Sequence, residues 1–139
     1  MRGFESHPPY SGLCTRAHRR GTMVGMIVAF SVAPSGTPSP SAPSPGEGDA
    51  SLHNAVAAAV AVVRASGLPN RTDSMFTTIE GDWDEVFAVV KAATEAVGQF
   101  GSRVSLVLKA DIRPGHTGEL DGKVERLEAA LEAREEQSS

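Results

Sequence analysis

What most constrains this chain is the order in which its hydrophobic period changes. From Ser51 onward the pattern reads helix, strand, strand, helix, strand, helix, according to whether apolar residues recur at 3.6 or at 2. "SLHNAVAAAVAVVRASG" opens on Ser51, a favourable N-cap, and carries Leu52, Val56, Ala59, Val60 and Val63 at helical spacing. Gly67 closes it, and Pro69 prevents continuation. "NRTDSMFTTIEGD" has no helical stripe and predicts two short strands, residues 70–74 and 76–81. Asp82 with Glu85 resembles a capping box. It starts a second helix with Val86, Val89, Val90, Ala93 and Val97 on one face, ending by Gly101. "SRVSLVLKADI" predicts a strand that stops at Arg113-Pro114-Gly115. The last helix, "ELDGKVERLEAALEAREE", carries a stripe of Leu120, Val124, Leu127 and Leu131, with Gly122 weakening its first turn.

The stretch before this array admits two readings. Arg16, Arg19 and Arg20, an apolar run and Ser31-Val32-Ala33 fit an export signal. Against that, Pro34 would follow the cut, and the run is rich in β-branched residues. If residues 26–33 are instead a strand, the whole reads βαββαβ plus a C-terminal helix: an α+β, ferredoxin-like plan. Its first strand lies in the middle of the sheet, so removing it would leave both helices nothing to close on. The strand reading follows. Residues 1–25 lack an apolar period and are expected to be a disordered tail or an over-long translation start. Residues 37–48, "TPSPSAPSPGEG", form a Pro/Ser-rich loop insertion within one domain, residues 26–133, and residues 134–139 a flexible tail.

Composition narrows the function. A net charge of −4 with scattered basic residues argues against a nucleic-acid partner. Cys14 is the single cysteine, the histidines show no ligand spacing, and no apolar run reaches a membrane span. No nucleophile elbow, zinc-binding helix, phosphate loop or dinucleotide fingerprint occurs. The chain is therefore expected to bind rather than catalyse, with no metal and no cofactor. The strands also suggest a partner. Val28, Phe30 and Val32 point one way from the first strand, and Ile27, Ala29 and Ala33 the other, so both faces are apolar. The second face calls for cover by another copy, sheet against sheet, or by the last helix folding over it.

Starting at Met26, the chain resembles the thiamine-binding protein family of small ferredoxin-like proteins. The resembling segments are "MIVAFSVAPSG", "VAAAVAVVRASGLPNR", "SMFTTIEGDWDEVFAVVKAATEAV", "RVSLVLKADIR" and "GKVERLEAAL". The tract at residues 37–48 departs from the family, which has only a few residues there. The resemblance implies a cytoplasmic homotetramer, a dimer of dimers, and a thiamine-like small-molecule ligand. It would bind thiamine or its hydroxymethylpyrimidine moiety as carrier, buffer or sensor.

Such a ligand needs a few placed polar groups, a flat contact and a carboxylate or aromatic face for its cationic ring. The residues offered are Ser31 on the first strand, Thr77 and Glu80 on the third, and Phe30 and Phe76 as flat surfaces. Each has a plainer role. Ser31 and Thr77 serve equally as packed hydroxyls, Phe30 and Phe76 as core, Glu80 as an exposed strand end, and Trp83 as cover for a helix turn. Asn70 reads as a turn residue. Ser105, Lys109, Asp111 and Arg113 match the family's last strand and suit a salt-bridged subunit contact. The resemblance favours Thr77 and Glu80 over the rest. The alternative function is a regulatory or structural protein-interaction module on the same fold.

Overall fold

A computed structural model describes residues 24–42 and 49–138. The chain runs β1 (Val24–Ser35), α1 (Asp49–Ala65), β2 (Asn70–Thr72), β3 (Thr77–Gly81), α2 (Trp83–Val97), a 3-10 turn (Gly98–Phe100), β4 (Arg103–Pro114) and α3 (Glu119–Gln137). The four strands form one sheet in the order β2-β3-β1-β4, with every neighbour antiparallel. This is the ferredoxin-like βαββαβ plan with an added C-terminal helix. β1 is central and pairs with β4 over its whole length, from Val24↔Pro114 to Ser35↔Arg103. The apolar run after the arginines is therefore a strand in the interior of the sheet. The tail expected up to residue 25 lies, as far as residue 23, outside the described residues; so do residues 43–48 of the Pro/Ser-rich tract and residue 139.

Local chemistry explains the element ends. α1 begins at Asp49, so Ser51 lies inside the helix instead of capping it. β2 and β3 are shorter than the alternation suggested because Asp73 builds a turn between them. Its Oδ1 accepts from the Met75 and Phe76 amides at 2.8 and 2.9 Å, an Asx turn. Those two bonds hold the Asp73 carboxyl below its ordinary pKa. The Asn70 side chain donates to the Leu68 carbonyl, the turn role expected of it. Asp82 caps α2 through an Oδ1 that accepts from the Glu85 amide at 3.0 Å. Gly101 lets the chain pass the end of β1, since a Cβ there would stand 2.5 Å from the Ser35 carbonyl oxygen.

Helices α1 and α2 cover one face of the sheet. Met26, Val28, Phe30, Val32 and Ile79 from the strands are buried against Ala55, Ala59 and Val63 of α1 and Val86, Val90, Ala93 and Val97 of α2. The α2 stripe is the expected one, with Val89 at its margin. The α1 stripe is turned about its axis: Ala55, Ala59 and Val63 face inward while Leu52 and Val56 are exposed. The alanines let α1 come close to the sheet and to α2, which larger side chains at those positions would prevent.

The opposite face carries Ile27, Ala29, Ser31 and Ala33 of β1, Thr78 and Glu80 of β3, and Val107, Lys109 and Asp111 of β4. Among the described residues no helix lies along it. α3 reaches it through its first turn only, and every residue from Lys123 to Ser138 is exposed. Beyond its first turn the last helix thus does not fold over this face, and its apolar stripe from Val124 onward stays in the open, with Leu127 58 % exposed, while Leu120 is half-buried.

Candidate functional site

The antiparallel register arranges the open face in rows, because residues paired across an antiparallel ladder project to the same side. Glu80, Ile27 and Asp111 form one row. Arg71, Thr78, Ala29 and Lys109 form the next, followed by Ser31 beside Val107 and Ala33 beside Ser105. The side chains along β1 are small from Ala29 to Ala33, so the face is a shallow floor bordered by Lys109 and Arg71 and closed at one end by Glu80.

Glu80 is only 7 % exposed although it lies on the uncovered face. Its cover is the start of α3. The Glu119 amide donates to Glu80 Oε1 at 3.1 Å, and the Leu120 amide donates to Oε2 at 2.9 Å. The helix has no cap of its own: Gly118, at φ 71°, stands at the N-cap position and has no side chain to offer. A carboxylate 39 residues away therefore satisfies amides that every helix start leaves without an intrahelical partner, and its charge suits the positive end of the helix dipole. The first turn is tied down further by ion pairs Arg71–Asp121, at 2.6 Å, and Lys123–Asp111. Glu119 is buried as well. It receives both guanidinium nitrogens of Arg126, the shorter contact at 2.6 Å, and lies 3.8 Å from Arg113. The Arg126 hydrogen bond holds the Glu119 carboxyl below its ordinary pKa, with help from the charges of Arg126, Arg113 and His116 and against the opposing effect of burial.

The five residues singled out from the sequence separate onto two faces. Ser31 and Glu80 share the open face, two rows apart. Phe30 and Thr77 are cross-strand partners on the helix-covered face, both buried. The Thr77 hydroxyl is 3.2 Å from that of Thr72, so it is satisfied within the sheet. Phe76 is half-buried just before β3, outside the ladder. Trp83 stacks on Phe87, with ring centroids 5.1 Å apart, over the start of α2. Sequence reasoning missed the α3 amides, which carry no residue-type signature. The signal present was negative: a predicted helix with glycine at its N-cap and no Ser, Thr, Asp or Asn there needs an acceptor from elsewhere.

Two cavities flank these features. Beneath the first turn of α3, a space of about 10 Å³ is lined by Gly25, Ile27, Asp111, Arg113, Glu119 and Lys123. It has room for about one water molecule. A wider groove of about 330 Å³ runs between α2 and β4, lined by Phe87, Val90, Lys91, Thr94, Glu95, Leu106 and Leu108. None of the five residues lines it. Among the described residues no group of three His, Cys, Asp or Glu side chains is placed to hold a metal ion, and no helix is long and apolar enough to cross a membrane.

This arrangement, a ferredoxin-like sheet with one face open and a fourth strand as long as the first, defines the class of small α+β domains to which known proteins can be compared. The chain belongs to the thiamine-binding protein family, whose sequence model matches residues 28–128. It is 49 % identical over 109 residues to the UPF0045 protein Mb1933 of Mycobacterium bovis, covering 78 % of this chain and 96 % of that one. Among solved structures, a hypothetical protein of Methanocaldococcus jannascii superposes with a TM-score of 0.60 at 25 % identity, covering 74 % of this chain and 95 % of its own. A Thermotoga maritima protein described as a candidate thiamine biosynthesis/salvage protein gives a TM-score of 0.54 at 25 % identity, covering 70 % and 94 %.

Proposed function

We propose that this protein binds thiamine or its hydroxymethylpyrimidine moiety and makes or breaks no bond, acting as a carrier, buffer or sensor of the vitamin in the cytoplasm. The observation that carries the reading is the placing of Ser31 and Glu80 on one uncovered sheet face, over the small side chains of Ala29 and Ala33, in a chain of the thiamine-binding family. A hydroxyl and a carboxylate above an apolar floor suit a flat heterocycle with amine donors and a cationic neighbour. Thr77 and Phe30 act from the other side of the sheet by holding β1 and β3 in register. The likeness to the Thermotoga maritima protein is in accord with this reading.

The same face supports self-association as a homotetramer built from two dimers. Val107 is 57 % exposed there and no helix among the described residues covers it; an apolar sheet face of this kind is stable in water when another surface closes it. Calorimetric titration of the full chain with thiamine, thiamine diphosphate and hydroxymethylpyrimidine tests the ligand. Saturable heat with at least one of them, weakened by Ser31→Ala, supports the reading, and the absence of heat with all three removes it. Light scattering on the eluting species tests the assembly, and a stable monomer sinks that part.

One observation favours a second reading, a protein-interaction module: the exposed stripe of Val124, Leu127 and Leu131 on α3. Under it, no thiamine compound raises the melting temperature, as a ligand of the folded state must.

A further inference from the structure

We infer that the Glu80 carboxylate is a paired-acceptor seat that α3 and the ligand occupy in turn, so that α3 is a displaceable internal competitor. The inference rests on the thiamine reading above and deepens it by naming the group that enters the seat and the element that must leave.

Three observations carry it. First, both oxygens of Glu80 are already engaged, each by one α3 amide, at 3.1 and 2.9 Å. Two parallel N–H donors on one carboxylate are the pattern that a guanidinium or amidinium cation presents. Second, Glu80 is only 7 % exposed while α3 is seated, and the space under that first turn, about 10 Å³, is too small for a heterocycle. Third, α3 is built to leave. It is joined through Gly115 and Gly118, both at positive φ, and a Cβ on either would meet nothing within 4 Å. Beyond the first turn every described residue is exposed. Besides the Glu80 bonds, the ties to the sheet are Arg71–Asp121 and Lys123–Asp111, pairs of exposed side chains that hold weakly, and the long 3.8 Å pair of Glu119 with Arg113. Elements of this kind open locally well before the domain unfolds.

The donor pattern selects the ligand. A ring N–H beside an amino group, as in an aminopyrimidine protonated at the nitrogen next to its amino-bearing carbon, reproduces the two α3 amides on Glu80. The proton comes from solvent, and the adjacent carboxylate favours it. The thiazolium has no N–H and cannot replace them. The pyrimidine half therefore enters at Glu80, and the thiazolium lies along the floor toward Ser31.

Linkage makes the test reciprocal. If the open state is the competent one, anything that loosens α3 tightens binding by the same factor. The double variant Asp121→Ala/Lys123→Ala removes both exposed ion pairs, leaves the net charge unchanged and favours helix by propensity. Titrated as the full chain, it should bind hydroxymethylpyrimidine roughly two- to thirtyfold more tightly than the wild type, the range expected for two such pairs. In hydrogen-exchange mass spectrometry, hydroxymethylpyrimidine should speed exchange in the first turn of α3 while β1 and β3 keep or gain protection. The thiazole half alone should not. Equal affinity of both proteins, or slower α3 exchange on binding, overturns the competition and leaves the thiamine reading intact. No binding of thiamine, thiamine diphosphate or hydroxymethylpyrimidine by either protein removes both.

Discussion

Helices α2 and α3 start in opposite ways. Asp82 caps α2 from within its own sequence, at 3.0 Å from the Glu85 amide. α3 starts on a glycine and takes its acceptor from β3, where Glu80 meets its first two amides. Both helices carry an apolar stripe, yet Val86, Val90, Ala93 and Val97 are buried while Val124, Leu127 and Leu131 are exposed. A helix with its own start signal and a covered stripe belongs to the cooperative core. A helix that borrows its cap and leaves its stripe in water is held at one end, and can be released there without unfolding the rest.

The contrast can be broken most forcefully at the core beneath α1 and α2. Phe30→Ala should destabilise the domain by about 3–5 kcal/mol, the usual loss for an aromatic side chain removed from a packed interior, as read from denaturant midpoints. Glu80→Gln should weaken the α3 seat by roughly 1.5–3 kcal/mol, the range for hydrogen bonds to a charged group. That loss should appear as faster amide exchange in α3 with little change in the midpoint for the sheet. An equal drop in that midpoint would show α3 to be part of the same cooperative unit and end the contrast. Asp82→Ala should cost about 1 kcal/mol, and here the whole domain should report it, because α2 does not loosen alone.

Acid sharpens the comparison further. The Glu119 carboxyl is held below its ordinary value of 4.5, first by its hydrogen bond to Arg126. A depressed carboxylate contributes stability that is fully present above its unfolded pKa and is lost as pH falls through the folded one. The first turn of α3 should therefore loosen below about pH 4.5 before the sheet melts, with α3 amide signals shifting first in a titration followed by nuclear magnetic resonance. Smallest of all, Leu127→Ala should change the stability of dilute chain by less than about 0.5 kcal/mol, as substitutions at exposed positions do. A larger loss that grows with protein concentration would mean that a second copy covers the stripe.

Much of the fold was legible because local rules and global packing agree. The start of α2 follows from Asp82 and its inward face from a period of 3.6, while the helix itself ends at Val97 and a 3-10 turn, not more α-helix, carries the chain to Gly101. The central place of β1 followed from the remaining order of elements, which needs a strand there. The rotation of α1 was less accessible, since an alanine- and valine-rich helix offers several stripes of similar hydrophobicity. The turn at Asp73 was hidden inside an alternating run, where an Asx turn and a continuing strand read alike until the side chain's partners are known.

The candidate residues divide in the same way. That Thr77, Glu80, Ser31 and Phe30 belong to neighbouring strands was in the sequence. Which of them share a face depends on register, and a shift of one residue reverses it. The sequence by itself determined the element order, the cap of α2, the apolar strands and the family. Only the tertiary structure decided that Ser31 and Glu80 look out on the open face while Thr77 and Phe30 look inward, and that the start of α3 rests on Glu80. Periodicity and capping act between residues a few positions apart and leave their mark in the local order of residues. A carboxylate meeting helix amides 39 positions away leaves none, because that contact exists only once the strands have set the distance.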